Sequence, residues 1–398
     1  LPKADNEIFN GWQVQSEVLM IEKFNLYDVY EQNLNFLFGA GASYGFLPTL
    51  ALNIKDSNET PYTFETLAKE LDKNSTRNLY SLLFMYYFKK CINPGLPRRP
   101  TFPYLPHHAN VLKEYESFLT TLLSVLEKQG RNEKKCNLYT TNYDNCLEVA
   151  ADRLLVTQAK NCVINDGSSG FQRRNFHTKN FNNRTVQKGI FDKHEEWIPQ
   201  INILHAHGSV YWQKVDKCIE VNYGETSYDI VFTAEQENLL SEFEELVSSE
   251  DKHLDDLLAF GEDELGVWGW GDLHDTEFWE KYNKIPIVNP TKWKFHETVF
   301  EEAYYQILRH LSFELEKPNT VLITFGFSFS DEHIMHLVQR SLSNPSLSVY
   351  ICCYNEDEKH EMKIKFKSYR NVKYITIDDE LTFYRFNKRV FTLKKDGN

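Results

Sequence analysis

Apolar positions follow two rhythms along this chain, short unbroken runs and longer stretches with helical spacing. The first run, residues 34–38, reads Leu-Asn-Phe-Leu-Phe and stops at Gly39-Ala40-Gly41-Ala42-Ser43. So short a run, closed by glycine, predicts a strand buried on both faces. Phe64, Leu67, Ala68 and Leu71 then fall at helical spacing, and after a proline-punctuated loop over 94–106 comes a longer helix. Its buried stripe is Val111, Leu112, Tyr115, Phe118, Leu119, Leu122, Leu123 and Leu126. The rhythm recurs in a strand at 136–140, the turn Thr141-Asn142-Tyr143-Asp144 and a helix through Ala150. A strand at 201–204 leads into His205-Ala206-His207-Gly208-Ser209. Towards the C-terminus a helix over about 296–315 carries Phe300, Ala303, Tyr304, Ile307, Leu308 and Leu311 on one face. A strand at 321–325 follows, ending in Gly326-Phe327-Ser328-Phe329-Ser330, and Asp331 is placed to cap a helix to about Ser341. A strand at 347–353 ending at Tyr354-Asn355, a helix around 358–366 and a strand at 372–377 complete the pattern.

Strands alternating with helices predict an α/β fold with a Rossmann-like parallel sheet. Several strands end in small or polar residues just before a helix, and in an open parallel sheet such carboxyl ends converge on one crevice where ligands bind. Residues 157–198, rich in Gly, Ser, Asn and Arg, read as loop. Residues 213–283 read as an inserted subdomain, with strand-like pieces at 219–223 and 228–232 and then an acidic, helix-rich stretch. No period of 20–50 residues repeats, which argues against solenoids and propellers. The organisation expected is an N-terminal extension over 1–30, a first part of the α/β domain over 31–212 with a helical insertion at about 60–130, the insert at 213–283, and a second part over 284–398.

A length of 398 residues suits two lobes or one large domain with an insertion, and 41% apolar residues suffice for a core. The 44 basic residues against 57 acidic ones, net −13, oppose unaided binding to a polyanion. Seven cysteines, odd in number and without a C-x-x-C pair, argue against a zinc ribbon and a disulfide framework, so a reducing cytoplasm is expected. Lys3, Asp5 and Glu7 stand where a signal peptide needs an apolar core. The uncharged segment 32–54 is long enough to raise the question of a membrane span, but its glycines, asparagines and Pro48 favour a strand and a turn.

The glycine turn at 39–43 suits a phosphate cradle, because glycine lets backbone N–H groups approach an anion and a following helix N-terminus adds positive potential. A plain tight connection has the same composition, and the third glycine of the dinucleotide fingerprint is missing. Asn142 and Asp144 equally suit helix caps, and His207 a structural role. Taken in order, Gly39-Ala40-Gly41-Ala42-Ser43, Thr141-Asn142-Tyr143-Asp144, His207-Gly208, Gly326-Phe327-Ser328 and Asn355 resemble the sirtuin NAD-binding core over about residues 30–380. The phrases Leu204-His205-Ala206-His207-Gly208-Ser209-Val210-Tyr211-Trp212, Val288-Asn289-Pro290-Thr291-Lys292 and Gly326-Phe327-Ser328-Phe329-Ser330-Asp331-Glu332-His333 are more similar to the sirtuin-like NADases of bacterial anti-phage defence. The length resembles that of members paired with a HerA-type hexameric ATPase.

The resemblance implies that NAD is the substrate. It places Gly39, Ala40, Gly41 and Ser43 at the pyrophosphate and ribose, Asn142 and Asp144 at the nicotinamide side, and His207 as general base. Gly326 and Ser328 match the glycine-x-serine turn, and Asn355 lies near the adenosine ribose. It further implies a homo-oligomer joined to the ATPase. Deacylating sirtuins carry a zinc module built from two cysteine pairs, whereas 213–283 holds only Cys218, so no zinc is expected. Their proline-containing loop with its aspartate and arginine has no match in Tyr44-Gly45-Phe46-Leu47-Pro48, which weighs against an acyl-lysine substrate. His205, two residues from His207, is expected to face the other side of its strand.

Three rival readings stay open. They are an NAD-dependent protein deacylase, a non-catalytic NAD or ADP-ribose scaffold, and single-strand nucleic-acid binding through 171–188. In that last segment Phe171, Phe176 and Phe181 interleave with Arg173, Arg174, Lys179, Arg184 and Lys188, a composition that a solvated loop or docking patch also explains. No membrane association is expected.

Overall fold

The computed structural model of the chain describes residues 24–48, 51–73, 76–96, 106–130, 133–158, 160–189, 195–224, 228–263, 275–289 and 298–393. Seven short apolar runs hydrogen-bond side by side. They are β1 (Asn33–Phe38), β2 (Lys135–Thr140), β3 (Val163–Asn165), β4 (Gln200–His205), β5 (Thr320–Phe325), β6 (Leu347–Cys352) and β7 (Val372–Ile375). Every pairing is parallel, in the order β7-β6-β5-β1-β2-β4-β3. Among the described residues, the α-helices of eight or more residues are α1 (Phe64–Lys73), α2 (Arg77–Tyr87), α3 (Pro106–Lys128), α4 (Cys146–Gln158), α5 (Ala234–Val247), α6 (Leu254–Asp263), α7 (Asp275–Tyr282), α8 (Thr298–Glu316), α9 (Glu332–Ser341) and α10 (Glu356–Lys365).

The period of two along each strand divides the core into two layers. Phe36, Phe38, Leu138, Ile201, Ile203 and Phe325 face α3, α4 and an aromatic C-terminal segment with Phe383, Phe386 and Phe391. Leu37, Tyr139, Leu204, Leu322, Val349 and Ile351 face the other helices, α8 and α9 among them. All eight positions of the predicted stripe on α3 are buried. The expected helical insertion at 60–130 is therefore two things. Helix α3 is the crossover between β1 and β2, while α1 and α2 pack with α5–α7 in one cluster. Lys89 and Lys90, just after α2, pair with Glu237 and Glu244 of α5, and Phe84 meets Trp279 and Tyr282 of α7.

Residues 157–198 are not the loop their composition suggests. They supply β3, an edge strand of the main sheet, and two strands of a small antiparallel sheet ordered Trp212–Val215, Cys218–Val221, Asn175–Phe176, Ser168–Ser169. Strands of two or three residues are too short to leave a period in the sequence. Conversely, 228–232 is not a strand. Tyr228, Ile230 and Phe232 do turn to the core, which produces the alternation, but no ladder forms there.

A row of asparagines crosses the sheet. Asn35, Asn137, Asn202 and Asn165 are register neighbours on β1, β2, β4 and β3. Asn137 Nδ2 donates to Asn35 Oδ1 at 2.8 Å, Asn202 Nδ2 to Asn137 Oδ1 at 2.8 Å, and Asn165 Nδ2 to Asn202 Oδ1 at 3.0 Å. Buried amides must be paired, so the row holds these four strands in one register. No described helix is long and apolar enough to cross a membrane.

Candidate functional site

Strands β1 and β5 are neighbours whose successors lie on opposite sides, β2 beside β1 and β6 beside β5. Such a switch point opens a crevice at the carboxyl ends of the strands. Across it the strand ends β5, β1, β2 and β4 carry, in order, the turns 326–328, 39–43, 141–144 and 206–208. The fifth motif residue, Asn355, follows β6, one strand further out.

The two glycine turns are packed against each other. Gly41 N–H donates to Gly326 O at 3.0 Å and Gly39 N–H to Phe325 O at 3.1 Å. A Cβ on Gly39 would stand 2.4 Å from Gly326 O, and one on Gly41 2.8 Å from Gly326 Cα. Gly326 itself has φ +62°, in the left-handed region that glycine favours. Turn-to-turn packing thus already demands these glycines, and the half-buried Ala40 and Gly41 are what the turn offers to a ligand. Ala40–Ser43 is a single 3-10 turn, and α1 starts only at Phe64, so no α-helix N-terminus stands directly behind it. Gly45, at φ +93°, and Pro48 interrupt the chain between them.

Ser43 is the centre of a buried network. Its Oγ donates to Asp144 Oδ2 at 2.8 Å and accepts from Asn142 Nδ2 at 3.1 Å. With its own hydrogen used, Ser43 must also accept from Tyr115 Oη, 2.9 Å away. Asn142 Nδ2 also donates to Gly39 O at 3.1 Å, so both amide hydrogens are engaged. Asp144 Oδ1 accepts from Cys146 N–H at 2.9 Å, at the start of α4. Burial and the neighbouring Asp144 push the Tyr115 hydroxyl pKa well up, so it stays a donor.

His207 is half-buried, with Nε2 2.9 Å from Asp331 Oδ2 and its ring near that of Tyr304. The other carboxylate oxygen of Asp331 caps α9 through His333 N–H and Ile334 N–H, so one residue joins the histidine to a helix start. The strap at 287–289 covers the histidine turn, with Val288 N–H donating to His207 O at 2.8 Å and Tyr143 Oη to Val288 O at 2.7 Å. Pro290, Thr291 and Lys292, the rest of that phrase, lie outside the described residues. Ser328 is exposed, its Oγ 2.9 Å from Ser330 Oγ. Asn355 is exposed too, and Oδ1 caps α10 by accepting from Glu358 N–H at 2.9 Å.

His205 and His207 turn to opposite faces, His205 towards α4 and His207 towards Asp331 and Tyr304. The His205 ring is buried against the main chain of Asn142 and the carboxylate of Glu148 on α4. Three groups had no signal of their own in the sequence: Tyr115 was one position of an apolar stripe, Glu148 one charge on a helix, and Asp331 a cap. The cations of 171–188 are largely paired within the chain, Arg173 with Glu220, Arg174 with Asp166, Arg184 with Glu133 and Lys188 with Glu195. Phe181 is buried and Phe176 packs on Trp212, which leaves Phe171 as the exposed ring of the three. Among the described residues, no group of three or more His, Cys, Asp or Glu side chains is placed to hold a metal ion.

Fold and site together define a Rossmann-like parallel α/β protein whose candidate site lies at the switch point of its sheet. No protein-family model matches the sequence, and no curated protein matches it.

Proposed function

We propose that the chain hydrolyses NAD to nicotinamide and ADP-ribose. The observation that carries this reading is the convergence of His207, held by Asp331, with Asn142 and the glycine turn on adjacent strand ends at the switch point. The sirtuin-like order of the motifs selects NAD among nucleotide ligands. A carboxylate only accepts, so His207 Nε2 carries a hydrogen towards Asp331, and in the neutral ring Nδ1 holds the lone pair of a base.

In the proposed step the bond between ribose C1′ and the nicotinamide nitrogen breaks, its electron pair leaving with neutral nicotinamide. Water adds to the oxocarbenium-like C1′ and gives its proton to His207 Nδ1. Asn142 has spent both side-chain amide hydrogens on Gly39 and Ser43, so its side-chain oxygen Oδ1 is the atom through which it would orient water or a ribose hydroxyl. Asp144 and Ser43 hold that amide in place. The similarity to anti-phage NADases supports a role in depleting NAD during infection, as a homo-oligomer with a HerA-type ATPase.

The purified chain, with and without such an ATPase, is to be incubated with NAD and nicotinamide measured. Release is expected, and His207→Ala is expected to lower it by about 100- to 10,000-fold, the usual worth of a general base. Binding of NAD without release by any combination would make the chain a scaffold. Release that requires an acetylated peptide would make it a deacylase.

A further inference from the structure

One histidine has no part in that mechanism. His205, the last residue of β4, is 5% exposed and lies between two groups from different elements. Its Nδ1 is 3.1 Å from the backbone oxygen of Asn142, and its Nε2 is 2.6 Å from Glu148 Oε1. A carbonyl oxygen has no hydrogen to give, and neither has an ionised carboxylate. A neutral imidazole has one N–H, so it satisfies only one of the two partners. We infer that His205 is a permanent imidazolium paired with Glu148, and that it acts as the positioning residue for Asn142 by holding its carbonyl.

The competing arrangement is a neutral pair, in which Glu148 keeps the proton and donates it to Nε2. Imidazole binds a proton more tightly than a carboxylate by about 2 pH units in water, which favours the charged form. Burial works against the charge on His205. The Glu148 carboxylate, the Asn142 carbonyl and Asp144 outweigh it and hold the ring above the ordinary imidazole range. Among the other charged or titratable groups around the pair are the Cys146 thiol, which burial pushes well up, and Tyr223, Asp166 and Arg174. Tyr223 Oη and Arg174 both bond Asp166 Oδ2, at 2.9 Å each, so that carboxylate is itself neutralised.

The consequence for the site is geometric. Asn142 N–H donates to Thr140 Oγ1 at 3.0 Å, its side-chain amide to Gly39 and Ser43, and its carbonyl accepts from His205. With the ring neutral, its proton on Nε2 and a bare Nδ1, two lone pairs would face each other across the Asn142 carbonyl and the turn would have to move. This functional half rests on the NAD-hydrolysis reading, whereas the charge state does not.

Both halves can be tested on the full chain labelled with 15N-histidine, using His205→Gln to assign the ring. Both ring nitrogens are expected in the protonated range from about pH 6 to about pH 8, where a free imidazole titrates. A wild-type ring with one unprotonated nitrogen there would mean the neutral pair and overturn the assignment. Glu148→Gln keeps an acceptor and removes the charge, so its His205 ring should titrate within or below that window. In His205→Leu, which takes the donor away from the Asn142 main-chain carbonyl, the backbone amides of Asn142 and Tyr143 should shift, and unmoved amides would refute the positioning role.

In His205→Leu, kcat/KM for nicotinamide release should fall about 10- to 100-fold, and His205→Gln, whose side-chain amide can still donate to that carbonyl, should recover part of it. Equal losses in the two variants would also count against positioning. If wild-type protein releases no nicotinamide, the functional reading fails, while the ring and amide signals still decide the inference.

Discussion

Ser43 makes the most of one hydroxyl, with Asp144, Asn142 and Tyr115 all meeting at its Oγ in the interior. Ser43→Ala would leave three buried polar groups short of a partner. At about 1–3 kcal/mol for each such group, with partial relaxation, a loss of about 3 kcal/mol is expected in the unfolding free energy from urea titration, and nicotinamide release should fall with it. Gly41 behaves differently. The space beside it is filled by the Gly326 turn, so Gly41→Val would drive the two turns apart and cost about 1–3 kcal/mol as overpacking. That variant reports on folding before it reports on a ligand. A wild-type midpoint for Gly41→Val would show that the turns do not touch as described.

Among the elements, the asparagine row is the clearest device. Hydrophobic burial alone would let the parallel strands slide, because Leu, Ile and Val are interchangeable neighbours. A slip would strand the buried amides. Asn137 sits in the middle of the row, between Asn35 and Asn202, while Asn165 ends it at the sheet edge. Asn137→Leu is therefore expected to cost about 2–4 kcal/mol by chemical denaturation, and Asn165→Leu less, since its site is partly wet. Equal losses at both positions would mean that the row carries no register information.

At the scale of the whole molecule, acid stability should be governed in part by His310 on α8, far along the chain from the candidate site. Burial pushes its pKa down to about 4, with Glu314 opposing the shift and Lys135, Lys317 and Arg184 adding to it. The unfolded ring protonates below about 6.5. Between those values the unfolded chain binds more protons, so stability present at neutral pH is lost as the pH falls through the window. The slope is at most about 1.4 kcal/mol per pH unit from this ring, and His310→Gln should flatten it in urea titrations across that range. On the proposed function, an unregulated NADase would exhaust its own cell. Turnover per chain is accordingly expected to rise with assembly, alone or with the ATPase, and a dilute monomer at full activity would refute that gating.

Helix α3 was legible residue by residue, because its stripe Val111–Leu112–Tyr115–Phe118 repeats an interaction with one flat sheet face, and periodicity records such repeats. The strand ends were legible for a similar local reason, since glycine and capping residues mark where a parallel strand must turn. From these the sequence by itself determined the alternating α/β order, the parallel sheet and the set of motif residues brought to one edge. Partners contributed by distant segments leave no such trace. That Asp331 would reach His207 across 124 positions, that Glu148 would clamp His205, and that 163–165 would complete the sheet were decided only when the chain closed. Each of these contacts depends on which side of the sheet a crossover takes. The tertiary structure makes that choice by burying both faces at once.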